Sequence, residues 1–162
     1  MSKGMSLLEI LVVVAVFAIL GVIVTRSVIL SIGGSKKSES LVKVRENLNY
    51  SLGVIERQIR NSNLISVCPN PDTKVINYQD QTGNSTSFSC LNVGTDNAYV
   101  ASGTARLTSS EVTITSCSFT CTPATSVNPA LVTISLEARD ASASALQTST
   151  VTSTTQIYLR NY

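Results

Sequence analysis

The chain has 162 residues, of which 43% are hydrophobic and 14% charged, and its net charge is +2. This length is sufficient for one small domain and a membrane anchor. No lysine or arginine cluster exceeds Lys36-Lys37, which argues against a nucleic-acid site, and the absence of histidine removes the commonest general base and metal ligand. Because G-x-S-x-G and phosphate-binding glycine motifs are also absent, the sequence predicts no enzyme, no catalytic residue, no metal site and no cofactor.

The first feature along the chain is an apolar run from Met5 to Val24 whose single charge is Glu9. A helix of this length crosses about 30 Å of bilayer hydrocarbon. A carboxylate near the membrane core costs about 2–3 kcal/mol, so Glu9 is expected to have a functional partner. A removable secretory signal fits less well, because the run is long and its small residues, Ser2 and Gly4, precede it. A plain signal anchor explains the length but not Glu9.

The segment GMSLLE, which begins at Gly4 and is followed at once by the apolar residues 10–14, resembles the processing site of type IV pilins and pseudopilins. The resemblance implies that a prepilin peptidase cuts after Gly4. It also implies that Met5 becomes the methylated N-terminal residue and that Glu9 is retained for assembly.

The spacing of Met5 and Glu9 has a direct chemical consequence after such a cut. A charged amine would be left on Met5, and Glu9 would lie four residues later on the same helix face. In a low dielectric both charges need counter-charges. We therefore hypothesise that Glu9 pairs with the Met5 amine of a neighbouring subunit and sets its register. In the alternative interpretation, the Glu9 side chain extends to the cytoplasmic headgroups.

A second helical pattern follows the apolar run. Thr25-Arg26-Ser27 interrupts the run, and Gly33-Gly34 is a candidate hinge or break. The pattern predicts a helix from about Ser6 to Asn63, with a membrane or filament-core part (5–35) after a leader (1–4) and an amphipathic part (36–64). One apolar stripe with helical spacing defines the amphipathic part: Leu41, Val44, Leu48, Leu52, Ile55 and Ile59.

The remaining residues, 65–162, predict a β-rich head. Val112 and Ile114 alternate with Thr113 and Thr115, and residues 132–137 alternate in the same way, as in an antiparallel sheet with one buried face. The Ser/Thr-rich tract 140–155 is predicted as a hairpin or edge strand, with a disordered tract as the alternative. The fold class is thus α+β, a long N-terminal helix packed on an antiparallel sheet, pilin-like. The predicted strands are 74–78, 86–91, 98–101, 111–117, 130–138 and 146–159.

Four cysteines, Cys68, Cys90, Cys117 and Cys121, all follow the membrane run. An even number beyond a membrane predicts two disulfides, with three connectivities allowed. Sequence proximity alone favours Cys68–Cys90 and Cys117–Cys121. A zinc site is disfavoured because there is no C-x-x-C pair.

The resemblance implies a structural subunit of a type IV pilus-like filament that serves adhesion, twitching motility or DNA uptake. Its expected partners are other copies of itself, the prepilin peptidase, the pilus assembly platform and, before assembly, the membrane. The precursor is expected in the cytoplasmic membrane with an extracytoplasmic head, and the assembled filament outside the cell. The alternatives are a pseudopilin of a type II secretion or competence system, and a membrane-anchored extracytoplasmic binding domain that never polymerises.

Overall fold

The computed structural model describes residues 6–65, 74–123, 125, 129–142 and 149–159. The chain divides into two compact units, one that extends to Ser38 and one that begins at Glu39. One long helix and antiparallel β-sheets make up the described residues. The fold is therefore α+β as predicted, and it is consistent with the architecture that the resemblance implies.

A single helix, α1 (Leu7–Arg60), accounts for both predicted helical parts and ends three residues before Asn63. Gly33 and Gly34 are helical, so the hinge expected there does not interrupt α1. Each glycine costs about 1 kcal/mol relative to alanine, which a long run of backbone hydrogen bonds tolerates. The Thr25 hydroxyl donates to the Gly21 carbonyl oxygen at 2.8 Å, so this polar group is satisfied within the helix.

In the second unit, one face of α1 packs into the core of the head. Val44, Leu48, Ile55 and Ile59 are fully buried and Leu52 is 6% exposed, which confirms most of the predicted stripe. Leu41 is only half-buried. The helix residues join buried side chains of the sheets in one hydrophobic cluster, so the amphipathic part of α1 and the β-strands form a common core.

The described part of the head contains two antiparallel sheets, whereas the sequence pattern predicted one. The first has five strands in chain order: β1 (Leu64–Ile65), β2 (Val75–Gln79), β3 (Ser85–Leu91), β4 (Tyr99–Ser102) and β5 (Ala105–Arg106). The second has three: β6 (Val112–Thr122), β7 (Leu131–Asp140) and β8 (Thr150–Tyr158). The predicted strands correspond to β2, β3, β4, β6, β7 and β8, so only the two shortest strands were not predicted.

The boundary between the two sheets explains an error in the predicted faces. The Ile114 N–H donates across the boundary to the Ala98 carbonyl oxygen at 3.2 Å. The Thr113 hydroxyl donates to the Asp96 carbonyl oxygen at 2.9 Å, and Thr113 is only 2% exposed. Thr113 was predicted on the polar face but is buried. Its burial is tolerated because this hydrogen bond satisfies its hydroxyl. β7 keeps the predicted alternation, with its apolar residues Val132, Ile134, Leu136 and Ala138 buried.

Candidate assembly segment and the disulfide-linked head

The residue predicted to act in assembly, Glu9, lies in the first turn of α1. The N–H groups of Glu9 and Ile10 donate to the Ser6 carbonyl oxygen at 2.9 and 3.2 Å. An acidic side chain at this position also interacts favourably with the helix dipole. Ser6 and Glu9 have the spacing of a capping box, but the hydrogen bonds here go to the Ser6 carbonyl oxygen and the box is not formed among the described residues.

The Glu9 carboxylate makes no hydrogen bond or ion pair with the described part of the chain. It is therefore open to a counter-charge supplied from elsewhere. Gly4 and Met5, the predicted processing residues, lie outside the described residues.

The part of α1 that follows Glu9 presents apolar side chains in all directions. Every large apolar side chain from Leu7 to Ile32 is at least 43% exposed. This segment is long and apolar enough to cross a membrane by length and composition, with a mean hydropathy of 3.1 over its most apolar window. Complete burial of a Val, Leu, Ile or Phe side chain is worth about 1.5–3 kcal/mol. The exposed surface therefore represents tens of kcal/mol that lipid or other helices could recover, and it suggests membrane anchoring.

The cysteines pair differently from the expectation. Cys90, at the end of β3, is bonded to Cys117 in β6, with a Cα–Cα distance of 6.4 Å. This bond joins the first sheet to the second, so the favoured pairs Cys68–Cys90 and Cys117–Cys121 are both wrong. Cys117 and Cys121 lie four residues apart in one strand, roughly 13 Å at strand spacing, which is too far for a disulfide. Cys121 is also disulfide-bonded, and Cys68 lies outside the described residues.

A charged cluster that was not predicted from the sequence ties α1 to the second sheet. Lys43 Nζ lies 3.0 Å from Glu111 Oε2 and 4.0 Å from Asp140 Oδ2. The Asp140 side chain is 8% exposed and that of Lys43 29%. Asp140 also accepts hydrogen bonds from the amide and hydroxyl of Ser142, at 2.9 and 2.7 Å. The two acids are distant in sequence and meet only because β6 and β7 are paired antiparallel.

This environment shifts two pKa values in opposite directions. The hydrogen bond to Glu111 raises the pKa of Lys43 above its ordinary value, and the carboxylate of Asp140 acts in the same direction. Burial raises the pKa of Asp140, but the hydrogen bonds from Ser142 and the charge of Lys43 outweigh it, so this pKa lies below its ordinary value. Both shifts favour the charged forms, and the cluster therefore stabilises the folded head at neutral pH.

We expect Lys43→Met to lower the free energy of unfolding by about 1–3 kcal/mol at pH 7, because it leaves the buried Asp140 carboxylate without its counter-charge. The Asp140 contribution is present above the unfolded carboxyl pKa, about 3.9, and is lost as pH falls through the lower folded value. The Lys43 contribution is present below about pH 10.4 and is lost as pH rises through the higher folded value. The difference in the free energy of unfolding between Lys43→Met and the wild type should therefore shrink at both low and high pH.

Urea unfolding of the full chain in detergent across pH 2–12 measures this difference. Lys37→Met is the matched control, because Lys37 is exposed and has no ion pair with a described residue. Equal losses in the two variants would contradict a stabilising role for the cluster.

The described residues thus present two functional features: an exposed apolar helix segment with one unpaired carboxylate at its start, and a head held together by a core, a disulfide between sheets and a charged cluster. These two features and the N-terminal motif bear on the function of the chain. The chain matches no protein-family model, no curated protein and no solved structure.

Proposed function

We propose that the chain is a structural subunit of a type IV pilus-like filament, made as a membrane-anchored precursor and polymerised through the N-terminal part of α1. The observation that carries the proposal is the exposed apolar surface of residues 7–32, which begins with an unpaired Glu9 carboxylate. The motif GMSLLE at residues 4–9 supports it independently, since it joins a cleavage glycine, a fixed spacing and this carboxylate.

Lipid covers the apolar surface before assembly. The apolar surfaces of other copies cover it in the filament. Because lipid tails are as apolar as leucine, transfer from membrane to filament gains little from the hydrophobic effect itself. Close helix packing and polar contacts have to favour the filament. In this proposal the pairing of Glu9 with the Met5 amine of a neighbour supplies the polar contact and also fixes register.

The head supports the proposal because residues 39–162 form a compact unit with a hydrophobic core of their own. The described residues of that core run from Val44 to Ile157 and all belong to this second unit. The head can therefore keep one structure in both the anchored precursor and the filament, where it would form the outer surface.

We expect the mature protein, isolated from its native membrane or from shed filaments, to begin at a methylated Met5. N-terminal mass spectrometry measures this. Gly4→Leu should leave residues 1–4 attached, because a bulky side chain replaces the cleavage glycine. Gly21→Ala is the matched control, since a methyl group added at Gly21 meets no atom within 4 Å. A chain that begins at Met1 or Ser2 would contradict the proposal and leave a non-polymerising anchored domain.

The same preparation separates a pilin from a pseudopilin. A pilin should be abundant in filaments sheared from the cell surface. A pseudopilin should be scarce there, while its deletion should block protein export or DNA uptake. Comparison of the sheared and membrane fractions on one immunoblot decides between them.

A further inference from the structure

The head contains a polar cleft of about 530 Å3 between the end of α1 and strands β2–β4. Arg57 and Asn61 line it from the helix side, and Asp80, Gln81 and Thr82 line it from the β2–β3 turn. Its volume falls within the roughly 300–1,000 Å3 that is typical of small-molecule sites. Its lining side chains carry charged, amide and hydroxyl groups, and their carbon atoms contribute a nearly equal share of apolar surface.

The acidic side of the cleft is preorganised by the β2–β3 turn. Asp80 Oδ1 accepts hydrogen bonds from the amide and hydroxyl of Thr82, at 2.9 and 2.7 Å, and from the amide of Asn84 at 2.9 Å. Gly83 allows this turn because its φ is +84°, a region that favours glycine. The second carboxylate oxygen, Oδ2, accepts no hydrogen bond from the described residues. It is therefore free to accept one from a ligand.

The basic side of the cleft also has no protein partner among the described residues. Arg60, on the next turn of the helix, is ion-paired with Glu56. The Arg57 side chain makes no ion pair or hydrogen bond with the described part of the chain, and none joins it to Asp80 although both line the cleft. The Arg57 guanidinium and the free Oδ2 atom of Asp80 thus line the same cleft without forming an ion pair or hydrogen bond with each other. This arrangement suits a ligand that both donates and accepts hydrogen bonds.

The other residues that line the cleft limit the class of ligand that it suits. Asn61, Gln81 and Thr82 each offer both donors and acceptors. Tyr78 is only 2% exposed, so its ring offers little apolar surface to a ligand. Its hydroxyl already donates a hydrogen bond to Gln58. The formal charges of Arg57 and Asp80 cancel, which disfavours a simple anion or cation. Sugar hydroxyls donate and accept at once, and a cleft of about 530 Å3 has room for two or three linked sugar rings.

We propose that this cleft binds a short neutral oligosaccharide, held between the Arg57 guanidinium and the Asp80 carboxylate. The head would then be a carbohydrate-recognition domain in addition to any part it plays in a filament. All residues that line the cleft belong to the head, so sugar binding does not require polymerisation.

The test measures ligand binding by saturation-transfer NMR with the full-length protein in a phosphocholine detergent, which has no sugar headgroup. The probes are lactose, maltose and mannobiose as neutral sugars, sialyllactose as an anionic sugar, and glutamine as a zwitterion. We expect at least one neutral sugar to bind and Arg57→Gln to weaken its binding by roughly tenfold to a hundredfold, the worth of a hydrogen bond to a charged group. Asp80→Asn should have a similar effect, because asparagine keeps one oxygen for the turn but loses the second acceptor.

Arg45→Gln is the matched control, since Arg45 is an exposed residue of the same helix that does not line the cleft. It should leave sugar binding unchanged. The proposal is overturned if no neutral sugar binds the wild-type protein, if only sialyllactose or glutamine binds, or if Arg57→Gln has no more effect than Arg45→Gln. Should Asp80→Asn fail to fold, Arg57→Gln still decides, because the Arg57 side chain makes no hydrogen bond or ion pair with a described residue that the change would remove.

Discussion

Glu9→Leu is expected to abolish filament assembly while the precursor is still made, inserted and folded. In the proposed filament, this change leaves each Met5 ammonium in an apolar helix bundle without a counter-charge. Removal of one partner from a buried ion pair costs about 3–5 kcal/mol. That is a loss of roughly a hundredfold to a few thousandfold at each contact between subunits, and it recurs at every step of polymerisation.

Three variants separate the role of charge from the roles of length and helix structure. Glu9→Asp keeps the charge on a shorter side chain and should assemble partly. Glu9→Gln keeps the length and the capping-box spacing with Ser6 but loses the charge, so it should fail as Glu9→Leu does. Val13→Leu, one turn later on the same face, is the matched control and should assemble normally.

The measurement is the yield of sheared filaments, with two controls on the membrane fraction. N-terminal mass spectrometry shows whether each variant is still cleaved after Gly4, which separates a processing defect from an assembly defect. Detection of the Cys90–Cys117 bond shows that the head has folded. Wild-type filament yield from Glu9→Leu would exclude the pairing and favour a carboxylate that only extends to the headgroups.

Periodicity predicted most of the fold because the amphipathic part of α1 and the strand β7 have uninterrupted patterns. The stripe from Val44 to Ile59 recurs at helical spacing and is buried, and β7 alternates as predicted over its whole length. The helix end was placed three residues late, although Arg57 and Arg60 in the last turn, followed by Asn61, are a typical C-terminal signal. β1 and β5 have two residues each, which is too short for any alternation to show.

Long-range contacts could not be predicted from local patterns. The division into two sheets depends on where β6 leaves the first sheet, and the sequence marks this point only by a short polar segment before Val112. Lys43, Glu111 and Asp140 meet through strand pairing, and neither their spacing nor their local sequence indicates it. The polar cleft likewise combines the end of α1 with the β2–β3 turn. The error in the disulfide pairing could have been avoided from the sequence. If the predicted strand β6 had extended to Cys121, the distance between Cys117 and Cys121 along a strand would have excluded a bond between them.

Loss of the Cys90–Cys117 disulfide should have the largest effect on the stability of the head. The bond closes a loop with a sequence separation of 27 residues. Loop-closure entropy for that length gives about 3.5 kcal/mol of stabilisation. The double variant Cys90→Ala/Cys117→Ala should therefore unfold at a temperature lower by roughly 10–20 °C, measured by circular dichroism of the full chain in detergent.

The single variants make the test specific to the bond. If the two cysteines are bonded, Cys90→Ala and Cys117→Ala should each cost nearly as much as the double variant, because either one removes the whole crosslink. Additive costs would contradict the bond.

Tryptic mapping of the non-reduced protein gives an independent answer, because cleavage after Lys74, Arg106 and Arg139 places Cys90 in peptide 75–106 and both Cys117 and Cys121 in peptide 107–139. A direct link between these two peptides is expected. The pairing favoured by sequence proximity would instead leave peptide 107–139 unlinked and join peptide 75–106 only to peptide 61–74. The map therefore decides whether the crosslink joins the two sheets or lies within each local segment.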